Sequence, residues 1–129
     1  MRNLSTVIDP RKLQILLSDI AAYLGISPSL ILRFEQWAQV LFVHRQDRGG
    51  QFISYRKLAC WLEACIEAIR TCKTHQALQA LAAILKTEIQ RFDYPQDVIG
   101  YLRCLWQQHK AQLDLKLNLR SFYTPIPNR

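Results

Sequence analysis

The residues best suited to chemistry follow Ser27 and Pro28, a pair typical of a helix start. In a helix from here to about Gln39, at roughly 100° per residue, the apolar side chains would share one stripe and leave a mostly polar face opposite. Arginine and glutamine on such a face offer donors that fit the edges of DNA bases, and leucine can contact a thymine methyl. The predicted base-reading residues are Ser29, Leu32, Arg33 and Gln36.

A basic hairpin is predicted directly after this helix. Leu41–Val43 and Gln51–Ile53 have strand character, and the RQDRGG stretch between them has turn chemistry. Positive side chains on a hairpin beside a groove can hold phosphates without reading sequence. A plain surface loop is the alternative interpretation. The predicted phosphate and hairpin contacts are Arg45, Arg48, Gln51 and Lys57.

An amphipathic helix should precede and support this pair of elements. Leu17, Ile20, Ala21 and Leu24 recur at helical spacing, and Gly25 supplies the permissive backbone of a tight turn. A helix, a tight turn, a second helix and a basic hairpin make a winged helix-turn-helix, which lays its second helix in the DNA major groove. The sequence also predicts a short helix after Asp9 and Pro10.

Three further helices are predicted downstream, starting near Ser54, Thr74 and Pro95. The strict alternation of leucines from Leu113 to Leu119 favours a short strand, and an extended tail is expected from Phe122 to Arg129. The apolar face of the last helices is wider than one partner helix requires, so intrachain packing and a second subunit are both open. The dimerisation candidates are Leu85, Ile89, Phe92, Val98, Leu102, Leu105 and Trp106.

The expected architecture is therefore mainly α. It comprises a winged helix-turn-helix domain with a β-hairpin wing over residues 1–73, and a helical dimerisation region with a short strand and an extended tail over residues 74–129.

Composition favours a polyanionic partner. Lysine and arginine outnumber aspartate and glutamate 17 to 10, which gives a net charge of +7. The 129 residues include no apolar run long enough to cross a bilayer and no secretory signal, so a cytoplasmic location without a membrane partner is expected.

An enzyme is the least favoured class. The sequence has no recognisable nucleophile and base pair, paired acids or phosphate-cradling glycine loop, and no metal site, cofactor or small-molecule effector is predicted. The four cysteines form no CxxC pair and fit buried thiols in a reducing compartment. A thiol sensor built from Cys65 and Cys72, on one helical face, is the minority interpretation.

The stretch LSDIAAYLGISPSLILRFE, then RQDRGGQF, then ISYRKLACWL resembles the DNA-binding domain of the MerR-type transcriptional regulators in order and approximate spacing. It covers Leu17 to Leu62, about a third of the chain. The family commonly has arginine followed by an aromatic residue in the middle of its recognition helix. This chain has Leu32 there and Arg33 one residue later. The resemblance implies a homodimer that binds an operator near a promoter. Small MerR-like repressors also accompany type V-K CRISPR-associated transposon loci, a role with which the short tail is compatible.

The preferred hypothesis is a homodimeric, sequence-specific regulator of transcription that binds double-stranded DNA, with repression favoured over activation. An excisionase-like protein that bends DNA is the nearest alternative. A helical adaptor that binds protein through its apolar face is the alternative from another class.

Overall fold

The chain forms helices around one small antiparallel sheet, which confirms the mainly α prediction. The computed structural model describes residues 8–123. The elements in chain order are α1 (Leu17–Leu24), β1 (Ile31–Gln36), β2 (Leu41–Arg45), β3 (Gly49–Ile53), α2 (Ala59–Arg70), α3 (His75–Arg91) and α4 (Gln96–Tyr123).

Helix α1 and the turn that ends it lie where the sequence predicts them. The Asp19 carboxylate accepts the Leu16 backbone N–H at 2.9 Å and so satisfies one donor at the helix start. Ile20 and Ala21 are buried. Gly25 then adopts a left-handed φ of 69°, which only glycine takes without steric cost. This backbone turns the chain sharply at the end of α1.

The helix predicted from Ser27 to about Gln39 is wrong. The Ser27 hydroxyl accepts the Ser29 N–H at 3.3 Å, but the cap opens only a single 3-10 turn, Pro28–Leu30, after which the chain enters β1. β1 pairs along β2, and without it β2 and β3 would form a two-stranded hairpin, which is marginally stable. β-Branched and aromatic residues such as Ile31 and Phe34 also fit a half-buried pleated surface. Pairing in the tertiary structure therefore overrides the helical spacing.

The predicted hairpin is confirmed as β2 and β3. The strands pair in antiparallel register from Leu41 opposite Ile53 to Arg45 opposite Gly49. Gly49 has a φ of 78° and closes the turn. In the order β1-β2-β3, β2 is the central strand, so both of its edges are hydrogen bonded.

The three helices predicted after the hairpin are present, with small differences at their starts. Ser54 caps a 3-10 turn, Tyr55–Lys57, before α2 begins. Thr74 caps α3, where its hydroxyl accepts the Ala77 N–H at 3.0 Å. The short helix expected after Asp9 is likewise a single 3-10 turn, Pro10–Lys12.

The strand predicted over Leu113–Leu119 is wrong, because these residues continue α4. Helix propagation adds one backbone hydrogen bond per residue, and leucine and lysine are good helix formers. Leu113 is buried, whereas Leu115, Leu117 and Leu119 are exposed around the helix. Of the predicted extended tail, Phe122 and Tyr123 belong to α4, and residues 124–129 lie outside the described part of the chain.

The core runs without a break from the inner face of the sheet to the helices. Its largest fully buried side chains include Trp61, Tyr55, Ile20 and Leu41. The division near residue 73 stays a prediction. None of the helices in the described part of the chain combines the length and the apolar character needed to span a membrane.

Candidate nucleic-acid interface

The two faces of the sheet have different surroundings. Leu41, Val43 and Ile53 point inward and are buried in the core. Successive residues of a strand face opposite sides, so Phe42, His44 and Phe52 belong to the outer face. The outer face therefore carries large side chains in a position open to solvent.

Three aromatic rings cluster on this outer face. Trp37, which follows β1, lies with its ring centroid 5.3 Å from that of Phe42 and 5.4 Å from that of Phe52. The Phe42 and Phe52 centroids are 4.9 Å apart. We call Trp37, Phe42 and Phe52 the aromatic cluster. The His44 ring packs edge-on against Phe42 at 4.4 Å and extends the cluster toward β1.

The Glu35 carboxylate organises the polar side of the outer face. It accepts the Trp37 indole N–H at 2.9 Å and lies 3.0 Å from His44 Nε2. The Arg33 Nε lies 3.6 Å from the same carboxylate. The Trp37 hydrogen bond, followed by that of His44, holds the pKa of Glu35 below its ordinary value. The one carboxylate among these side chains therefore has positive or N–H partners on three sides.

Three of the four predicted base-reading residues are exposed, but on a turn and a strand instead of a helix. Ser29 lies in the 3-10 turn and Leu32 lies at the irregularity where β1 changes register. The Arg33 side chain is 67% exposed on the outer face, opposite His44.

Gln36 lies elsewhere and has a structural role. Its side-chain amide donates to the carbonyl oxygens of Pro10 at 2.8 Å and Leu13 at 3.0 Å. These bonds fasten the segment before α1 to the end of β1. The structure therefore brings Ser29, Leu32 and Arg33 to one edge of the sheet and leaves Gln36 out of that group.

The predicted phosphate contacts also differ from one another in their exposure and partners. The Arg45 side chain is only 6% exposed, because it forms a two-bond pair with Asp47 at 2.9 Å and donates to the Gln51 amide oxygen at 2.9 Å. The Asp47 hydrogen bonds raise the pKa of Arg45. A positive charge so well satisfied within the hairpin is a poor phosphate contact, so the prediction for Arg45 and Gln51 is corrected to a structural role.

Arg48 and Lys57 remain as basic contacts. Arg48 is exposed in the turn between β2 and β3. Lys57 is about one-third exposed, and its ammonium lies 3.3 Å from Asp93. Arg33 and Arg48 are thus the two predicted contacts that the structure leaves most open to a ligand.

Sequence reasoning missed the aromatic cluster. Trp37 was assigned to the buried stripe of a helix, and Phe42 and Phe52 were treated only as strand formers. The signal was available in LFVHR and GGQFI, where aromatic residues alternate with aliphatic residues that belong in the core. In a sheet with one buried face, this alternation places the rings outside.

A buried ion pair joins the segment after the hairpin to α3. The Arg56 guanidinium makes two bonds to Glu88, at 2.7 and 3.2 Å. Tyr94 donates its hydroxyl to the same carboxylate and accepts the Trp61 indole N–H at 2.9 Å. Every group in this network has a partner, which is the condition for burying charge without a large penalty. The network fixes the sheet relative to the helices.

Four dimerisation candidates line or underlie the space between α3 and α4. Leu85 and Leu102 are buried at its base, whereas Ile89 and Trp106 are only partly buried. Together they bound an open apolar groove of about 440 Å³. The Trp106 indole donates to the Leu78 carbonyl at 3.1 Å, which fixes the orientation of its ring.

The other three dimerisation candidates pack within the chain. The Phe92 ring lies over the Arg56 guanidinium at 3.5 Å. Val98 and Leu105 pack against the core and are partly buried.

Cys60 and Cys65 are buried in the core, whereas Cys72 is partly buried and Cys104 is exposed. Burial raises the pKa of Cys65 to about 12 and that of Cys60 to about 11, so both remain thiols at neutral pH. Burial also raises the pKa of Cys72. The environment of Cys65 and Cys72 therefore disfavours the thiol sensor. Within residues 8–123, no three histidine, cysteine, aspartate or glutamate side chains are grouped so that they could hold a metal ion.

No family model, no curated protein and no solved structure matches the chain. The proposed function therefore rests on the contacts described above.

Proposed function

We propose that the protein is a sequence-specific regulator of transcription that binds double-stranded DNA through the outer face of its sheet. The observation that supports this most directly is the exposed Arg33 on a face of the three-stranded sheet that no helix within residues 8–123 covers, since these helices all contribute to the core. The net charge of +7 favours an anionic partner.

The mode of binding differs from that of a winged helix-turn-helix, although α1, the Gly25 turn and the hairpin keep their places. β1 occupies the position where the recognition helix was expected. Strands can replace a helix in this task, because the major groove also admits a β-ribbon and several DNA-binding proteins read it with strands. In this proposal Arg33 contacts a base edge and Arg48 contacts a phosphate.

The charges of the outer face suit this task. Arg33 and His44 lie next to each other across β1 and β2, and Arg48 is exposed in the turn that ends the hairpin. Glu35 would repel a phosphate if it were free, but its partners offset its charge. The face therefore presents donors to an anionic ligand without an unpaired carboxylate between them.

The proposal is tested by selecting bound fragments from genomic DNA and measuring affinity for the selected site and for random duplex. Arg33→Ala should weaken binding to the selected site about tenfold or more, and should weaken binding to random duplex less, because a base contact discriminates between sequences. Arg70→Ala removes the same charge from the exposed end of α2 and is the matched control.

Equal losses for Arg33→Ala and Arg70→Ala on both DNAs would remove Arg33 from the base-reading role. Salt tests the class of function at the same time. Affinity for DNA should fall steeply with ionic strength, whereas a protein partner held by apolar contacts would respond weakly. A salt-insensitive partner would favour the helical adaptor.

We further propose a homodimer that acts as a repressor at a promoter operator. The groove between α3 and α4 and the exposed leucines of α4 supply apolar surface that a second copy could cover. Sedimentation equilibrium should give twice the chain mass of 15.1 kDa. A reporter gene behind the selected site should be less active when the protein is present.

A further inference from the structure

The aromatic cluster is exposed to an extent that packing alone does not explain. Trp37 is 44% exposed and Phe52 is 58% exposed, although both rings contact Phe42. Large aromatic side chains are usually buried, and a contiguous exposed group of them indicates a surface that meets another molecule.

The cluster is also held in place before any ligand arrives. The Trp37 side chain donates to Glu35, and its backbone carbonyl accepts the Tyr55 hydroxyl at 2.5 Å. The Phe42 ring lies directly over Gly50, where an added Cβ would come within 2.6 Å of the ring. The Trp37 and Phe42 rings are therefore constrained in the unbound protein, which lowers the entropic cost of binding against them.

The geometry excludes a cage for a small cation. Such a cage needs a gap between the rings, but all three ring centroids lie 4.9 to 5.4 Å from one another, which is direct contact. The ring planes are tilted 33° to 62° from one another, so each exposed ring offers its own face. A flat π system that stacks on such a face is the ligand that fits it.

The surrounding charges favour an anionic molecule that carries flat groups. Arg33 and His44 flank the cluster on β1 and β2, and the Glu35 carboxylate is already bonded to Trp37 and His44. Nucleic acid with unpaired bases has both properties, since its phosphates match the Arg33 guanidinium and its bases can stack on the rings.

We propose that the aromatic cluster stacks on unpaired bases, so that the protein prefers DNA with an opened segment to an intact duplex. This inference rests on the proposed function, because it assumes that DNA lies across the outer face. It adds that Phe52 and Trp37 contact the bases of a locally unpaired segment, while Arg33 holds the adjoining duplex.

The test compares three fluorescein-labelled DNAs: a duplex, the same duplex with a run of unpaired thymines, and the single strand alone. The duplex with unpaired thymines should bind at least about fivefold more tightly than the intact duplex, the low end of the range for one stacked base. 2-Aminopurine placed in the unpaired run should lose fluorescence on binding, which reports stacking directly.

Variants at Phe52 separate stacking from burial. Phe52→Leu keeps an apolar side chain without a π face and should abolish the preference, whereas Phe52→Tyr keeps the ring and should retain it. Tyr101→Ala removes an aromatic residue that is 48% exposed on α4 and serves as the control. Circular dichroism and thermal unfolding of each variant confirm that the fold is intact.

The outcomes distinguish the two proposals. Equal affinity of the intact and opened duplexes, or a preference that survives Phe52→Leu, overturns the stacking inference and leaves the regulator standing. Binding to the single strand alone, lost in Phe52→Leu, supports stacking and overturns the duplex regulator. Binding to none of the three DNAs overturns both.

Discussion

Glu35 contacts several side chains of the outer face at once. A carboxylate in the middle of a proposed DNA-binding face is unfavourable unless its charge is offset. Here the carboxylate bonds to the Trp37 indole and to His44 and lies close to Arg33. It therefore orients one ring of the aromatic cluster and lies beside the Arg33 guanidinium and the His44 ring.

The pKa of Glu35 gives a test that needs no ligand. Because this pKa is lowered in the folded protein, the contribution of the carboxylate to stability is present above the ordinary value of 4.5 and is lost as the pH falls through the lowered value. The Trp37 indole N–H resonance in a proton–nitrogen NMR spectrum should shift with a midpoint below 4.5.

Two variants complete that measurement. Trp37→Phe assigns the resonance, because one indole signal should disappear. Glu35→Gln should abolish the titration of this resonance and leave the indole signals of Trp61 and Trp106 in place. A Trp37 resonance that does not move with pH, or that moves with a midpoint above 4.5, would contradict the hydrogen bond to the carboxylate.

Gly50 matters at this scale because it has no side chain. The sequence marks the GG pair as a turn, and Gly49 does supply the positive φ. Gly50 instead provides the space under the Phe42 ring, where an added Cβ would lie 2.6 Å from the ring. Only the cross-strand register, with Gly50 opposite His44, reveals this second role.

At the scale of elements, β1 was the largest error of sequence interpretation. The segment LILRFEQW satisfies a helical stripe and a strand about equally, and Ser27 with Pro28 starts only a single 3-10 turn. The deciding factor was the availability of β2 as a partner, a contact that no local pattern contains. Short apolar segments are ambiguous for this reason.

The end of α4 shows the opposite error, because a sequence pattern typical of a strand occurs in a helix. Strict alternation would place four leucines on one face of a strand, but in α4 it distributes them around the axis. Leu113 packs against the core at 7% exposure, and Leu115, about 200° further around the helix, is 58% exposed.

A matched pair of truncations distinguishes helix from strand. Leu113→Ala should lower the free energy of unfolding by about 2–5 kcal/mol, the usual range for a buried leucine. Leu115→Ala should change it by about 0.5 kcal/mol or less, as for an exposed site. Urea denaturation at a low protein concentration, which avoids any effect of dimerisation, provides the measurement. Equal losses for both variants would contradict the helical assignment, since a strand would bury the two leucines on the same face.

At the scale of the whole molecule, the ion pair of Arg56 with Glu88 links the sheet to α3. Both residues are buried, and the guanidinium lies between the Trp61 ring at 4.3 Å and the Phe92 ring at 3.5 Å. Burial, followed by the Glu88 contact, raises the pKa of Tyr94, so its hydroxyl remains a donor to the carboxylate at neutral pH. This network sets the position of the hairpin relative to the helices.

Removing one charge from the pair should therefore destabilise the whole protein. Glu88→Gln leaves Arg56 buried without a counterion and should lower the free energy of unfolding by about 3–5 kcal/mol. Glu67→Gln, at an exposed position of α2, is the matched control and should change it by about 0.5 kcal/mol or less. Urea denaturation followed by circular dichroism measures both. Similar values for the two variants would show that the ion pair does not hold the molecule together.

The sequence by itself determined the features that depend on neighbouring residues. These include α1 and its Gly25 turn, the hairpin of β2 and β3, the helix starts near Thr74 and Pro95, and the exposed positions of Arg33 and Arg48. Such features can be read from the sequence because caps, glycine backbones and local spacing act over a few residues. The tertiary structure decided the features that require distant partners. Pairing with β2 makes the expected recognition helix a strand. Hydrogen bonds to Asp47 and Gln51 hold Arg45 away from the surface. Because the inner face of the sheet is buried, Trp37, Phe42 and Phe52 lie together on the outer face. Each of these outcomes depends on contacts between segments that meet only after folding, and no single stretch of sequence specifies them.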